Sequence, residues 1–158
     1  RKENPEAVTV FISPCVAKRK EAMDNDNVSY VMTYEELGAL FIAKKIEIAE
    51  CDEDRTDSES SKQARNFGNT TGVAEAVKSV LKDKEQVKPY IISGLTKETA
   101  KELKKFVKDK KCPDCNLVEV MCCEGGCVGG NATLNLPRIA RKQLKTLLDE
   151  SQDLKRED

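Results

Sequence analysis

Seven cysteines and no histidine define the chemistry open to this 158-residue chain. Three of the cysteines, Cys122, Cys123 and Cys127, lie in a glycine-rich segment, residues 119–130, at the end of a short apolar run. Thiolates bind iron and zinc strongly, and glycines let the backbone approach whatever the thiolates hold. Because histidine is absent, Ser–His and Cys–His nucleophile pairs are excluded. A metal would be held by sulfur, carboxylate or backbone oxygen.

A fourth cysteine, Cys15, follows the apolar, β-branched residues 8–12, and Pro14 ends that run. It therefore lies at the carboxyl end of a predicted strand, where open α/β sheets bind ligands. Taken by itself, a cysteine here is more often a small buried hydrophobic residue. Since the carboxyl ends of parallel strands share one edge, we expect Cys15 to converge with Cys123 and Cys127.

The elements that would position these cysteines alternate between strand and helix. This order predicts an α/β fold with a small, largely parallel four-stranded sheet flanked by helices. Residues 1–150 are expected to form one lobe and residues 151–158 a polar tail, with an exposed loop at residues 51–65. The predicted strands are residues 8–12, 28–32, 90–94 and 117–120, and the predicted helices begin near Thr33, Val73, Thr96 and Pro137. The first of these helices is expected to start with a capping box, Thr33-x-x-Glu36.

Composition excludes several classes of function. The 27 basic and 28 acidic residues leave a net charge of -1, so no overall field favours nucleic acid or an anionic membrane. No apolar run approaches the ~20 residues that span a bilayer, and the charged N-terminus does not resemble a signal peptide. The odd cysteine count argues against a disulfide framework. We expect a reducing, cytoplasmic location with cysteines mostly free or metal-bound.

Three arrangements of the sulfurs are open from the residues alone. An iron–sulfur site would use Cys15, Cys123 and Cys127 and needs a fourth ligand from elsewhere. A zinc site would combine Cys112 and Cys115 with the Cys123/Cys127 pair. The segment between the two pairs is shorter than in the usual zinc-binding pattern, however, and it holds a predicted strand that would keep the pairs apart. Thiol redox chemistry at the Cys112–Cys115 pair is disfavoured, because the pair follows a helix instead of beginning one.

Two of the cysteine motifs resemble those of the iron-only ([FeFe]) hydrogenases. Residues 13–21, Ser-Pro-Cys-Val-Ala-Lys-Arg-Lys-Glu, resemble that family's second cluster motif, Met-Pro-Cys-x-x-Lys-x-x-Glu. Residues 119–130 resemble its third, Glu-x-Met-x-Cys-x-x-Gly-Cys-x-x-Gly-Gly. Residues 30–37 and 67–76 are similar to the intervening signatures, so the resemblance runs in order over residues 8–130.

The resemblance implies that Cys15, Cys123 and Cys127 are three of four ligands of a [4Fe-4S] cluster. Cys127 would also bridge to a diiron subsite that carries CO and cyanide, completing the H-cluster. Lys18 would donate a hydrogen bond to a cyanide, and Met121 would form part of the apolar wall.

Pro14 and Gly126 are the remaining positions where the resemblance implies contact with the cofactor. The implied chemistry is reversible oxidation of dihydrogen to protons and electrons by an anaerobic oxidoreductase. The implied partners are the N-terminal lobe of the same catalytic domain and an electron carrier such as a ferredoxin, with no nucleic acid or membrane partner.

The chain also departs from the family pattern. The first motif, Thr-Ser-Cys-Cys-Pro, supplies the fourth cluster ligand and is not found in this sequence. Ser13 replaces the usual Met, and Asn131-Ala132 stands where Gly-Gln-Pro is common. We therefore expect the C-terminal lobe of the catalytic domain of a hydrogenase large subunit, inactive and without cluster when isolated. The alternatives are a non-enzymatic iron–sulfur redox or H2 sensor and a zinc-stabilised domain.

Overall fold

The structure, a computed structural model, describes residues 4–52 and 60–152. The chain divides into two compact units. The first unit comprises Arg1–Asp57 and Gly130–Leu136, and the second comprises Ser58–Gly129 and Pro137–Asp158. The chain therefore returns to the first unit for seven residues, 130–136, before its last helix.

The first unit is built on two parallel strands joined by a short helix. Val10 pairs with Tyr30 at one end of the sheet and Ser13 pairs with Thr33 at the other. The elements in order are β1 (Val10–Ser13), α1 (Ala17–Met23), β2 (Tyr30–Thr33), α2 (Tyr34–Ala43) and a 3₁₀ turn at Ile48–Glu50.

Helix α2 begins with the capping box predicted from the sequence. The Thr33 hydroxyl accepts a hydrogen bond from the Glu36 amide at 3.2 Å, and the Glu36 carboxylate accepts one from the Thr33 amide at 2.8 Å. Each bond satisfies an amide that the first helical turn leaves unpaired. Two hydrogen bonds lower the pKa of Glu36: the bond from the Thr33 amide, and a bond from Arg19 Nη2 to Glu36 Oε1 at 2.6 Å.

The second unit is also built on a parallel pair of strands, with Pro89 opposite Leu117 and Ser93 opposite Met121. Tyr90 on the sheet meets Phe106 edge-on, with ring centroids 5.4 Å apart. The elements are α3 (Lys62–Arg65), α4 (Gly72–Val80), β3 (Pro89–Ser93), α5 (Lys97–Asp109), β4 (Leu117–Met121) and α6 (Pro137–Asp149), with 3₁₀ turns at Asn66–Gly68, Lys84–Gln86 and Cys127–Gly129.

The predicted α/β class and the parallel strand direction are confirmed, but the sheet is divided. The described residues form two two-stranded sheets, β1–β2 and β3–β4, instead of one four-stranded sheet. A local pattern predicts a strand, whereas hydrogen bonds distant in sequence decide which strands share a sheet.

Two helices were missed by the sequence analysis. Helix α1 has only three apolar residues, Ala17, Ala22 and Met23, and α3 is a single turn, so neither has an apolar stripe to predict it. Residues 53–59 of the predicted loop and 153–158 of the predicted tail lie outside the described residues. Among the residues that the structure describes, no helix is long and apolar enough to cross a membrane.

Candidate functional site

Cys15 lies directly after β1, at the carboxyl end of that strand, as predicted. Its thiol is free and half-buried. The backbone is held on both sides: the Pro14 carbonyl accepts from the Ala132 amide at 3.2 Å, and the Cys15 carbonyl accepts from the Lys18 amide at 3.3 Å. The thiol is thus carried by a short connection with fixed ends.

Lys18 lies in the first turn of α1, three residues after Cys15. Its Nζ donates to the Glu21 carboxylate at 2.5 Å, and the Lys18 side chain is 39% exposed. Lys18 borders a cavity of about 220 Å³ together with Phe11 and Val31. The ammonium group is therefore ion-paired, and its contact with a cofactor stays a prediction.

Cys123 and Cys127 lie in the second unit on residues 122–129, here called the cysteine loop. The loop follows β4 without a break, since the Met121 and Cys122 carbonyls accept from the Gly94 and Leu95 amides, each at 2.9 Å. Cys123 is half-buried, Cys127 is exposed, and neither residue is in a disulfide.

The cysteine loop packs its backbone on residues 66–71, here called the support turn. The Thr70 amide donates to the Gly125 carbonyl at 3.3 Å. Gly126 has a φ of +87°, and a Cβ there would lie 2.6 Å from the Gly68 carbonyl oxygen and 2.8 Å from Asn69 C. Only glycine permits this contact. Gly126 thus lets the backbone of the cysteine loop approach the backbone of the support turn. Its contact with a cofactor stays a prediction.

Ser93, the last residue of β3, links the cysteine loop to the support turn. Its Oγ accepts from the Gly125 amide at 2.8 Å and lies 2.9 Å from Thr70 Oγ1 in a second hydrogen bond. From α6, Arg141 Nη2 donates to the Glu124 carbonyl at 3.2 Å. The loop between the two cysteines is therefore held by neighbours that are distant in sequence, and the sequence analysis identified none of them.

Glu119 is a buried carboxylate on β4, only 5% exposed, that the sequence analysis also missed. Its Oε1 accepts from the Thr71 amide and its Oε2 accepts from the Ala74 amide, both at 2.7 Å. Thr71 precedes α4 with a φ of +76°, and its side chain does not cap the helix. Glu119 on β4 therefore caps the N-terminal end of α4, and a carboxylate at that end also interacts favourably with the helix dipole.

Cys112 and Cys115 form a disulfide with a Cα–Cα distance of 5.4 Å, so the expectation of free or metal-bound cysteines is wrong for this pair. The other five cysteines are not in disulfides, in keeping with that expectation. A disulfide closes a Cys-x-x-Cys turn without metal, which spacing alone does not distinguish from a zinc-binding turn.

The same disulfide bears on the zinc arrangement, because it engages two of that site's four sulfurs. Strand β4 separates the pair from the cysteine loop, as predicted. Over residues 4–52 and 60–152, no group of three or more His, Cys, Asp or Glu side chains is arranged to hold a metal ion.

The predicted ligands are divided between the two units. Cys15 and Lys18 belong to the first unit, whereas Met121, Cys123 and Cys127 belong to the second. Their convergence on one cofactor stays a prediction. None of the predicted cysteine ligands is in a disulfide, and a cysteine thiolate is a donor type that fits an iron–sulfur cluster.

Comparison with known proteins gives a family match and structural matches. The family model for the C-terminal domain of the iron-only hydrogenase large subunit matches residues 1–131. A solved structure of HydA(deltaEFG), which reveals stepwise [FeFe]-hydrogenase H-cluster assembly, matches with a TM-score of 0.54 and 20% identity. The match covers 94% of this chain and 55% of that one, so this chain spans about half the length of the structure. At this identity the likeness supports the fold alone.

Proposed function

Because this chain belongs to the family formed by the C-terminal domain of the iron-only hydrogenase large subunit, we propose that it is the C-terminal lobe of an [FeFe]-hydrogenase-like catalytic domain. The parent reaction is the reversible oxidation of dihydrogen to protons and electrons. The observation that carries this proposal is the family match over residues 1–131, which include both cysteine motifs. The length relation supports it, since the chain spans 55% of the HydA(deltaEFG) chain.

We assign Cys15, Cys123 and Cys127 as three thiolates that would hold a [4Fe-4S] cluster, and Cys127 would also be a ligand of the diiron subsite. None of the three is in a disulfide, and Cys15 and the cysteine loop each follow the carboxyl end of a strand. When bound, the H-cluster supplies the electron storage and the hydrogen chemistry. The role of the protein is to hold and orient it.

Lys18 and Met121 are the residues proposed to face the diiron subsite. An ammonium group suits an anionic ligand because the hydrogen bond is charge-assisted. The ion pair with Glu21 restrains the Lys18 side chain, so less freedom would be lost when it binds. Met121 ends β4 immediately before the cysteine loop, and its apolar thioether suits a wall that excludes water.

The proposed partners are the N-terminal lobe, which would supply the fourth cluster ligand, and an electron carrier such as a ferredoxin. Apolar side chains of the first unit are open to solvent: Ile42, Leu134 and Leu136 are 80%, 68% and 69% exposed. Apolar side chains exposed in this way are available for burial against another protein segment. Without that lobe we expect the chain to lose its cluster and to show no hydrogenase activity, because a metal site one ligand short binds weakly.

Anaerobic reconstitution tests this proposal. The chain is incubated with ferrous iron, sulfide and a small thiol that can occupy the fourth iron position. We expect about four iron and four sulfide per chain, and a large loss of iron when Cys15, Cys123 or Cys127 is changed to Ser.

The matched control is the double variant Cys112→Ser, Cys115→Ser, which should keep its iron because neither residue is an assigned ligand. Zinc at about one per chain with little iron would instead support the zinc-stabilised alternative. Hydrogen evolution by the isolated, matured chain would contradict its assignment as an incomplete lobe.

A further inference from the structure

Glu119 is the one buried carboxylate among the residues that the structure describes, and it lies four residues before Cys123 on the strand that leads into the cysteine loop. Its two oxygens accept from two backbone amides, those of Thr71 and Ala74, at 2.7 Å each. Burying a carboxylate costs free energy unless its oxygens are hydrogen-bonded, and here a backbone amide bonds to each oxygen. The bonds therefore fix the end of the support turn and the first turn of α4 to β4.

The support turn is in turn the surface on which the cysteine loop lies. The Thr70 amide donates to the Gly125 carbonyl, one residue before the amide that Glu119 holds at Thr71. Gly126 lies so close to Gly68 and Asn69 that a Cβ at position 126 would overlap their backbone atoms. Displacing the support turn would remove the surface that keeps the backbone of the loop in place.

From this connected set of contacts we infer that Glu119 is a positioning residue for the Cys123/Cys127 pair. It acts through the support turn and touches neither cysteine in the hydrogen bonds described. The inference rests on the proposed function, because it states how the cluster-binding loop is held. Groups that orient metal ligands without contacting the metal commonly alter metal affinity by about 10–100-fold.

The variant Glu119→Gln tests the inference. The amide side chain keeps the shape, but it has one carbonyl oxygen, so its NH2 group would face one of the two backbone donors. The matched control is Glu150→Gln, which removes the same charge from an exposed position in the same unit.

The first measurement uses the protein without cluster and is independent of the proposed function. Hydrogen exchange of backbone amides should quicken in Glu119→Gln at Thr71 and Ala74 and also in the cysteine loop, at Gly125 and Gly126. The Glu150→Gln variant should exchange like the wild type. Faster exchange confined to Thr71 and Ala74, with the loop unchanged, would overturn the inference whatever the chain binds.

The second measurement uses protein reconstituted with iron, sulfide and a small thiol. We expect the Glu119→Gln protein to lose iron to a chelator about tenfold faster than wild type or more, with an altered electron paramagnetic resonance signal of the reduced cluster. Iron retention and spectra equal to those of wild type would refute the positioning role while leaving the proposed function standing. Failure of the wild type itself to take up iron would refute the proposed function, and the exchange experiment would then decide the positioning role by itself.

Discussion

Gly126 provides the sharpest test of how the cysteine loop is held. In the variant Gly126→Ala the new Cβ would lie 2.6 Å from the Gly68 carbonyl oxygen and 2.8 Å from Thr70 N. Those atoms belong to backbone that is itself hydrogen-bonded, so the contact is relieved only by moving main chain. The φ of +87° adds strain for any residue with a Cβ.

The expected loss of stability follows from these two effects. A left-handed backbone conformation costs an L-residue about 1–2 kcal/mol, and overpacking costs about 1–3 kcal/mol. The lower entropy of the unfolded chain offsets up to about 1 kcal/mol. The net expectation is a loss of about 1–5 kcal/mol, to be compared with the ~5–15 kcal/mol that stabilises a typical domain.

Urea unfolding followed by circular dichroism measures this loss, and Gly68→Ala is its control. Gly68 lies on the other side of the same contact, but a Cβ there would meet only Val128 Cγ1 at 3.8 Å and Cys127 Cβ at 4.0 Å. We expect its stability to be unchanged or raised by up to about 1 kcal/mol. Equal midpoints for Gly126→Ala and wild type, or equal losses in the two variants, would refute this account of the loop.

Three further predictions concern single groups. The Thr33 amide and Arg19 lower the pKa of Glu36, so the contribution of Glu36 to stability is present above the unfolded-state pKa of about 4.3 and is lost as the pH falls through the folded-state pKa. Thermal melts should therefore show that Glu36→Gln loses less stability on acidification than wild type does. Equal losses of stability would contradict the assignment. The 2.6 Å hydrogen bond to Glu102 raises the pKa of Tyr90, so Glu102→Gln should lower it, as measured by tyrosinate absorbance with Tyr90→Phe as the blank; an unchanged titration would refute the contact. Alkylation of the unfolded, unreduced chain should modify five cysteines and leave Cys112 and Cys115 unmodified until a reductant is added, and modification of all seven would contradict the disulfide.

Much of the local structure follows from the sequence. Strands β1 to β4, the capping box at Thr33 and Glu36, and the placement of Cys15 after a strand were all predicted. Each depends on residues within one element, whose spacing carries its own period or cap. The cysteine motifs also predicted the family, because their residue types and spacing occur together and in order.

Tertiary structure alone decided how these elements support one another. The division into two sheets and the packing of Gly126 on the support turn have no local signature. The Cys112-x-x-Cys115 spacing is local, but by itself it does not distinguish a disulfide from a zinc-binding turn. Glu119 is the clearest case, because it caps a helix whose amides lie 45 and 48 positions earlier in the chain. Sequence patterns report which face of an element is apolar, whereas a hydrogen bond between two distant elements exists only once the chain has folded.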